Sequence, residues 1–130
     1  MNNQQSFNQW LSSVLTEEPP AAIIAFNFNI SEAITHYAVE VCGANQFDIE
    51  NEDWACDESW TCRPSEYEIP FNYFDSSWEK ALEGLVQLVR GYLETPSPGA
   101  NLLKNAQAIA IGFVDGELVY VKRPNKSQPR

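Results

Sequence analysis

Between Ala21 and Ile30 the chain alternates: Ile24, Phe26, Phe28 and Ile30 fall on one side, and Ala25, Asn27 and Asn29 on the other. Successive side chains of an extended chain point to opposite faces, so this is the period of a half-buried strand. A second run, Thr35 to Cys42, repeats it, with Tyr37, Val39 and Val41 inward and His36, Ala38, Glu40 and Cys42 outward. Gly43 closes this run, and Ser31 to Ile34 forms the expected turn. These two runs commit the chain to a sheet with one face packed.

Helical spacing surrounds them. Phe7, Trp10, Leu11, Val14 and Leu15 recur at three- and four-residue steps, giving a helix over roughly residues 4 to 17 that Pro19-Pro20 terminates. Trp78, Ala81, Leu82, Leu85, Leu88, Val89, Tyr92 and Leu93 give a longer one over about 77 to 94, ahead of Pro96 and Pro98. Ser76-Ser77-Trp78-Glu79 reads as its capping box. A short helical piece near Ala100 to Asn105 leads into strand-like runs 107 to 114 and 117 to 122. The Asp115-Gly116 pair between them predicts a hairpin with a two-residue turn. The expected fold class is α+β in the order α-β-β-loop-α-β-β. It has a mainly antiparallel sheet of about four strands, with helices packed on one face. Residues 1 to 123 read as a single domain and 124 to 130 as a flexible basic tail. No internal repeat divides the chain.

Residues 44 to 74 carry no sustained period, and long irregular segments of this kind are commonly functional. Within it, Asp48, Glu50, Glu52, Asp53, Asp57 and Glu58 place six carboxylates in eleven residues without one Lys or Arg, and Trp54 and Trp60 are threaded among them. Disordered acidic runs rarely keep tryptophans, so the charges ride on a structured or docking segment. Trp54 and Trp60 are either core plugs or interface anchors, whereas Trp10 and Trp78 lie on helical stripes and belong to the core.

The formal charge is −10, and residues 32 to 83 hold thirteen acids against Arg63 and Lys80, a local charge of −11. Such a field repels phosphate backbones and anionic lipid heads, so neither nucleic acid nor membrane is an expected partner. A basic protein would be steered towards it. The plainer alternative is that the charge only confers solubility. The polar N-terminus carries no basic region or long apolar run, which points to a cytoplasmic protein. Cys42, Cys56 and Cys62 are an odd set, read as thiols, although five intervening residues leave a Cys56–Cys62 bridge sterically open.

No catalytic motif stands out. His36, Glu40 and Cys42 share a strand face at a spacing too common to mark a nucleophile pair, and Cys56 and Cys62 are too far apart in sequence for a usual zinc pair. Asp48, Glu50 and Glu52 occupy the first, third and fifth places of a calcium loop. The sixth is Asp53 and the twelfth Ser59 where glycine and glutamate are required. Paired-carboxylate hydrolysis would need supporting partners, and only Arg63 lies nearby. Phosphate-loop and dinucleotide glycines do not occur, so no cofactor and no metal is expected.

The leading helix, the Ala22-Ile-Ile-Ala-Phe26 strand, the acidic stretch with Trp54 and Trp60, the Trp78-headed helix and the run from Ile109 to Val119 together resemble small acidic bacterial immunity proteins of toxin systems, in families near the SUKH group. The resemblance covers the order of most of the chain. It implies a non-enzymatic protein that binds a cognate basic toxin, a nuclease for example, and blocks it. Asp48, Glu50, Glu52, Asp53, Trp54, Asp57, Glu58 and Trp60 are then the partner-binding candidates. An acidic structural or regulatory module and a small enzyme are the competing readings, and the oligomeric state is open.

Overall fold

A computed structural model describes residues 3–15, 22–56, 58–62, 66–71, 77–113, 116 and 118–123. Helix α1 spans Asn3–Leu15, β1 Ala25–Glu32 and β2 His36–Ala44. A 3-10 turn at Glu52–Cys56 precedes β3 (Trp60–Thr61) and β4 (Tyr67–Pro70). Helices α2 (Trp78–Glu94) and α3 (Pro98–Lys104) lead into β5 (Ala108–Phe113) and β6 (Val119–Lys122). The α+β class and the one-sided helices agree with the sequence reading.

The sheet differs from the expected four antiparallel strands. Among the described residues it has six, in the order β3-β2-β1-β5-β6, with β4 also pairing on β2. β1 and β2 form the foreseen antiparallel hairpin, Phe28 opposite Val41, although its turn is 33–35, starting two residues later than expected and ending one later, closed by the Ala33 N–H to the His36 carbonyl. On its other side β1 runs parallel to β5, Phe28 opposite Ile111. A parallel neighbour cannot be reached by a tight turn, so the long connection carrying α2 and α3 is what makes this pairing available. β3 and β4 share the outer edge of β2, Thr61 opposite Cys42 and Ile69 opposite Tyr37.

One detail corrects the expected helix start. The N-cap of α2 is Ser77, whose hydroxyl oxygen accepts from the Lys80 N–H and whose O–H donates to Glu79 Oε1 at 2.9 Å. The third helical position is thus Lys80, and the reciprocal glutamate of a capping box is not in place; Ser76 lies outside the described residues. The hairpin partners β5 and β6 pair antiparallel as expected, and the Gly116 N–H donates to the Phe113 carbonyl, while the expected two-residue turn falls partly outside the described residues. Asp115, Asp57, Arg63 and the tail 124–130 also fall outside the described residues.

One core lies between the helices and the sheet. Phe7, Leu11, Val14 and Leu15 of α1 and Ala81, Leu85, Leu88, Val89 and Tyr92 of α2 meet Phe26, Phe28, Ile30, Tyr37, Val39, Val41, Ile109 and Ile111. Polar ties fix the helix pair: Gln4 Nε2 donates to the Leu88 carbonyl at 3.0 Å, and the Ser12 and Tyr92 hydroxyls lie 3.0 Å apart. No helix among the described residues is long and apolar enough to cross a membrane. Leu85 is wholly buried at the centre of this layer. Leu85→Ala should therefore destabilise the protein by about 2–5 kcal/mol, read as a lowered urea midpoint at unchanged slope.

Candidate acidic interface on the second face of the sheet

The strand faces directed away from the helices are built from small and polar residues. Ala25, Asn27 and Asn29 stand on β1, Glu40, Cys42 and Ala44 on β2, and Ala108 and Ala110 on β5. A face of this composition would ordinarily meet water, yet Ala25, Ala108 and Ala110 are wholly buried, and Ala44 and Cys42 nearly so. The cover is the segment after β2, which the sequence left as an irregular loop. Its 3-10 turn lowers Trp54 onto the alanines, where the residue retains 3% exposure. Methyl-sized neighbours leave room for an indole, and burying one contributes on the order of 2–3 kcal/mol.

Trp54 is locked sideways as well. Its Nε1–H donates to the Tyr120 hydroxyl at 3.1 Å, and its ring meets Phe47 edge-on at 5.2 Å and lies 6.4 Å from the Tyr120 ring. The Arg123 guanidinium caps the Tyr120 ring at 5.3 Å. Of the two readings of Trp54, the structure carries the core plug. Trp60 sits apart, half-buried on the helix side of the sheet and edge-on to Phe26 at 6.4 Å. The two tryptophans therefore occupy opposite faces and form no joint aromatic patch.

Short-range polar contacts shape the backbone around this plug. Asp48 Oδ1 accepts from the Glu50 N–H at 2.8 Å, and the Asn51 N–H returns to the Asp48 carbonyl at 3.2 Å. Asn51 Oδ1 accepts from the Asp53 N–H at 2.9 Å, as a capping side chain does, and Glu52 and Asp53 then occupy the first turn, where carboxylates suit the exposed amides. The consequence is a display: Asp48, Glu50, Glu52, Asp53 and Glu58 are all exposed around a buried indole. Gln46, Phe47, Asp48, Asn51, Asp53 and Trp54 enclose a cleft of about 150 Å³. It offers two carboxylates, the acceptors that a guanidinium or ammonium seeks, beside the half-buried Phe47 ring.

Next to this cover runs a polar chain. Asn27 Nδ2 donates to Asn29 Oδ1 at 2.7 Å, Asn29 Nδ2 to Cys42 Sγ at 3.5 Å, and the Cys42 thiol is directed at Glu40 Oε1 (3.7 Å) and Glu58 Oε2 (4.0 Å). One donor atom each from Glu40, Cys42 and Glu58 lies within 4.8 Å of the others. At 1% exposure Cys42 offers a substrate no approach. His36 is drawn elsewhere, its Nδ1 3.2 Å from the Thr35 hydroxyl and its Nε2 3.9 Å from Glu68. The strand-face trio of His36, Glu40 and Cys42 thus splits. Asn27 Oδ1 is buried with no hydrogen-bond partner, a defect costing about 1–3 kcal/mol.

The thiols are not bridged. Cys62 belongs to the helix-side core, where its sulfur accepts from the Val41 N–H at 3.2 Å and burial pushes the thiol up from its ordinary value. Cys56 stays exposed at the end of the 3-10 turn. The sequence signal for the covered face was the row of alanines on β1, β2 and β5; it reads as an outward face until Trp54 is assigned to it.

Native protein treated with an aromatic disulfide reagent should react at Cys56 alone, and at all three cysteines in denaturant; a second fast native thiol would refute the burial described. Because Cys62 is raised in the folded state, its contribution to stability is intact below the unfolded thiol value of 9.0 and is lost as pH climbs from there through the folded value. The urea midpoint should therefore fall above that pH, and fall less in Cys62→Ala. Tyr120→Phe removes the hydroxyl that receives the Trp54 indole and should cost about 1 kcal/mol, with red-shifted tryptophan emission as the readout.

No protein-family model, no curated protein and no solved structure matches this chain.

Proposed function

We propose that this chain is a non-enzymatic binding module that captures a basic protein through the acidic face of residues 48–58, in the role of an immunity protein that neutralises a toxin. The observation that carries this reading is the cleft between Asp48, Asp53, Phe47 and Trp54, held open by a buried indole. A flexible acidic loop must lose conformational freedom on binding, whereas this one is fixed beforehand by the plug and by the Asp48 and Asn51 turns. Asp48, Glu50, Glu52, Asp53 and Glu58 are exposed, and the sequence from Asp48 to Glu58 contains no Lys or Arg.

A Lys or Arg of the partner would enter the cleft, its charge against Asp48 and Asp53 and its stem against Phe47. Glu50, Glu52 and Glu58 add the long-range field that speeds encounter, and Asp57 extends the run in sequence. Trp54 acts here by positioning the loop, and Trp60 by anchoring β3 on the helix-side core. A nuclease toxin fits the chemistry, because a site that grips phosphate presents Lys and Arg. An acidic inhibitor competes for those same groups.

The test uses tagged protein as bait in a lysate of its native organism, at about 0.05 M and about 0.5 M salt. Recovery of a basic protein that the higher salt releases is the expected result. Asp48→Asn, Glu50→Gln, Glu52→Gln and Asp53→Asn combined keep the turn acceptors and remove four charges. That variant should bind the recovered protein at least about tenfold more weakly, chiefly through slower association. Equal binding by the variant would refute the acidic-face reading.

A further inference from the structure

Three features converge at the far edge of the sheet from β2. β6 ends the strand order beyond β5, and among the described residues its outer edge pairs with no strand. Beside that edge, α2 and β6 enclose a groove of about 320 Å³ lined by Trp78, Glu79, Leu82, Glu83, Val86 and Val119. Trp78 is 54% exposed and Val119 37%, although Trp78 also meets Phe113 edge-on at 6.0 Å. An open edge next to exposed apolar side chains is a template for another strand. Lysine is the usual guard of such edges, but Lys122 turns its ammonium onto the carbonyls of Lys104 and Ala106.

The charges on this flank of α2 identify the occupant. Glu79, Glu83, Val86, Arg90 and Leu93 follow one another at four- and three-residue steps, so they share one side of the helix, and Leu82 lies three residues on from Glu79. The flank carries Glu79 and Glu83 in its first half and Arg90 in its second. A uniformly basic segment would satisfy Glu79 and Glu83 and meet Arg90 with like charge. A second copy of the same flank, turned end for end, sets Glu83 of each chain opposite Arg90 of the other, so neither charge meets its like.

We infer that β6 pairs antiparallel with β6 of a second copy across a two-fold axis, joining two six-stranded sheets with Trp78 and Val119 of both chains in the seam. The contact is isologous, so each flank supplies both signs of charge. It lies on a different surface from the acidic cleft, and its failure would leave the reading of that cleft untouched.

Sedimentation equilibrium of the full chain at about 0.15 M salt, where long-range repulsion between the two acidic chains is largely screened, decides the matter. The expected mass is twice 14.7 kDa. Trp78→Glu and Val119→Glu should each yield monomer with an unchanged far-UV spectrum. Glu83→Arg and Arg90→Glu, both at exposed positions, should each weaken self-association by about tenfold, and the double exchange should restore it. That exchange remains decisive even where Trp78→Glu lowers stability. A monomer at every concentration, a dimer indifferent to Val119→Glu, or a double exchange no better than the single variants would overturn the inference.

Discussion

The parallel register of Ala25–Ile30 against Ala108–Phe113 is the contact on which the molecule is built. It joins two stretches more than eighty residues apart and makes β1 interior, bonded on both sides. Because a parallel partner must be approached from the same end, the chain crosses one face of the sheet between them, and α2 and α3 are that crossing. The core follows from this placement. The large residues of β1, β2 and β5 face the helices, which leaves alanine and asparagine on the reverse.

The reverse face is where the local composition and the global fold meet. Three strands contribute alanines to one neighbourhood, and none of these positions is informative alone. Together they form a shallow bed that takes a tryptophan from a segment whose other residues are mostly charged. The same arrangement leaves Asn27 buried beside Cys42 with an unanswered carbonyl oxygen. The second layer is thus a thin cover whose interior is partly polar, in contrast to the dense apolar packing on the helix side.

Helices α1 and α2 and strands β1, β2, β5 and β6 were legible because each buries one face and so carries a period. The inward set Phe26, Phe28, Ile30, Tyr37, Val39 and Val41 was read directly from alternation. β3 and β4 were hidden: two residues, Trp60–Thr61, are too few to show a period, and Tyr67–Pro70 ends in a proline that argues against a strand except at an edge. The parallel pairing was not legible either, since alternation states which face is buried and nothing about which strand lies alongside. For the acidic face, the clustering of Asp48, Glu50, Glu52, Asp53 and Glu58 was visible in the sequence. That Trp54 holds them from beneath, while Trp60 faces the opposite layer, depends on contacts with Tyr120 and Phe26 that sequence spacing does not encode.

Tyr120 gives β6 a double allegiance. Its ring and hydroxyl secure Trp54 on one side of the sheet, while its neighbours Val119 and Val121 face α2 on the other. A four-residue strand is short enough that these two attachments share one piece of backbone. β6 is therefore a strand shared by the two layers, its alternate side chains packed into each.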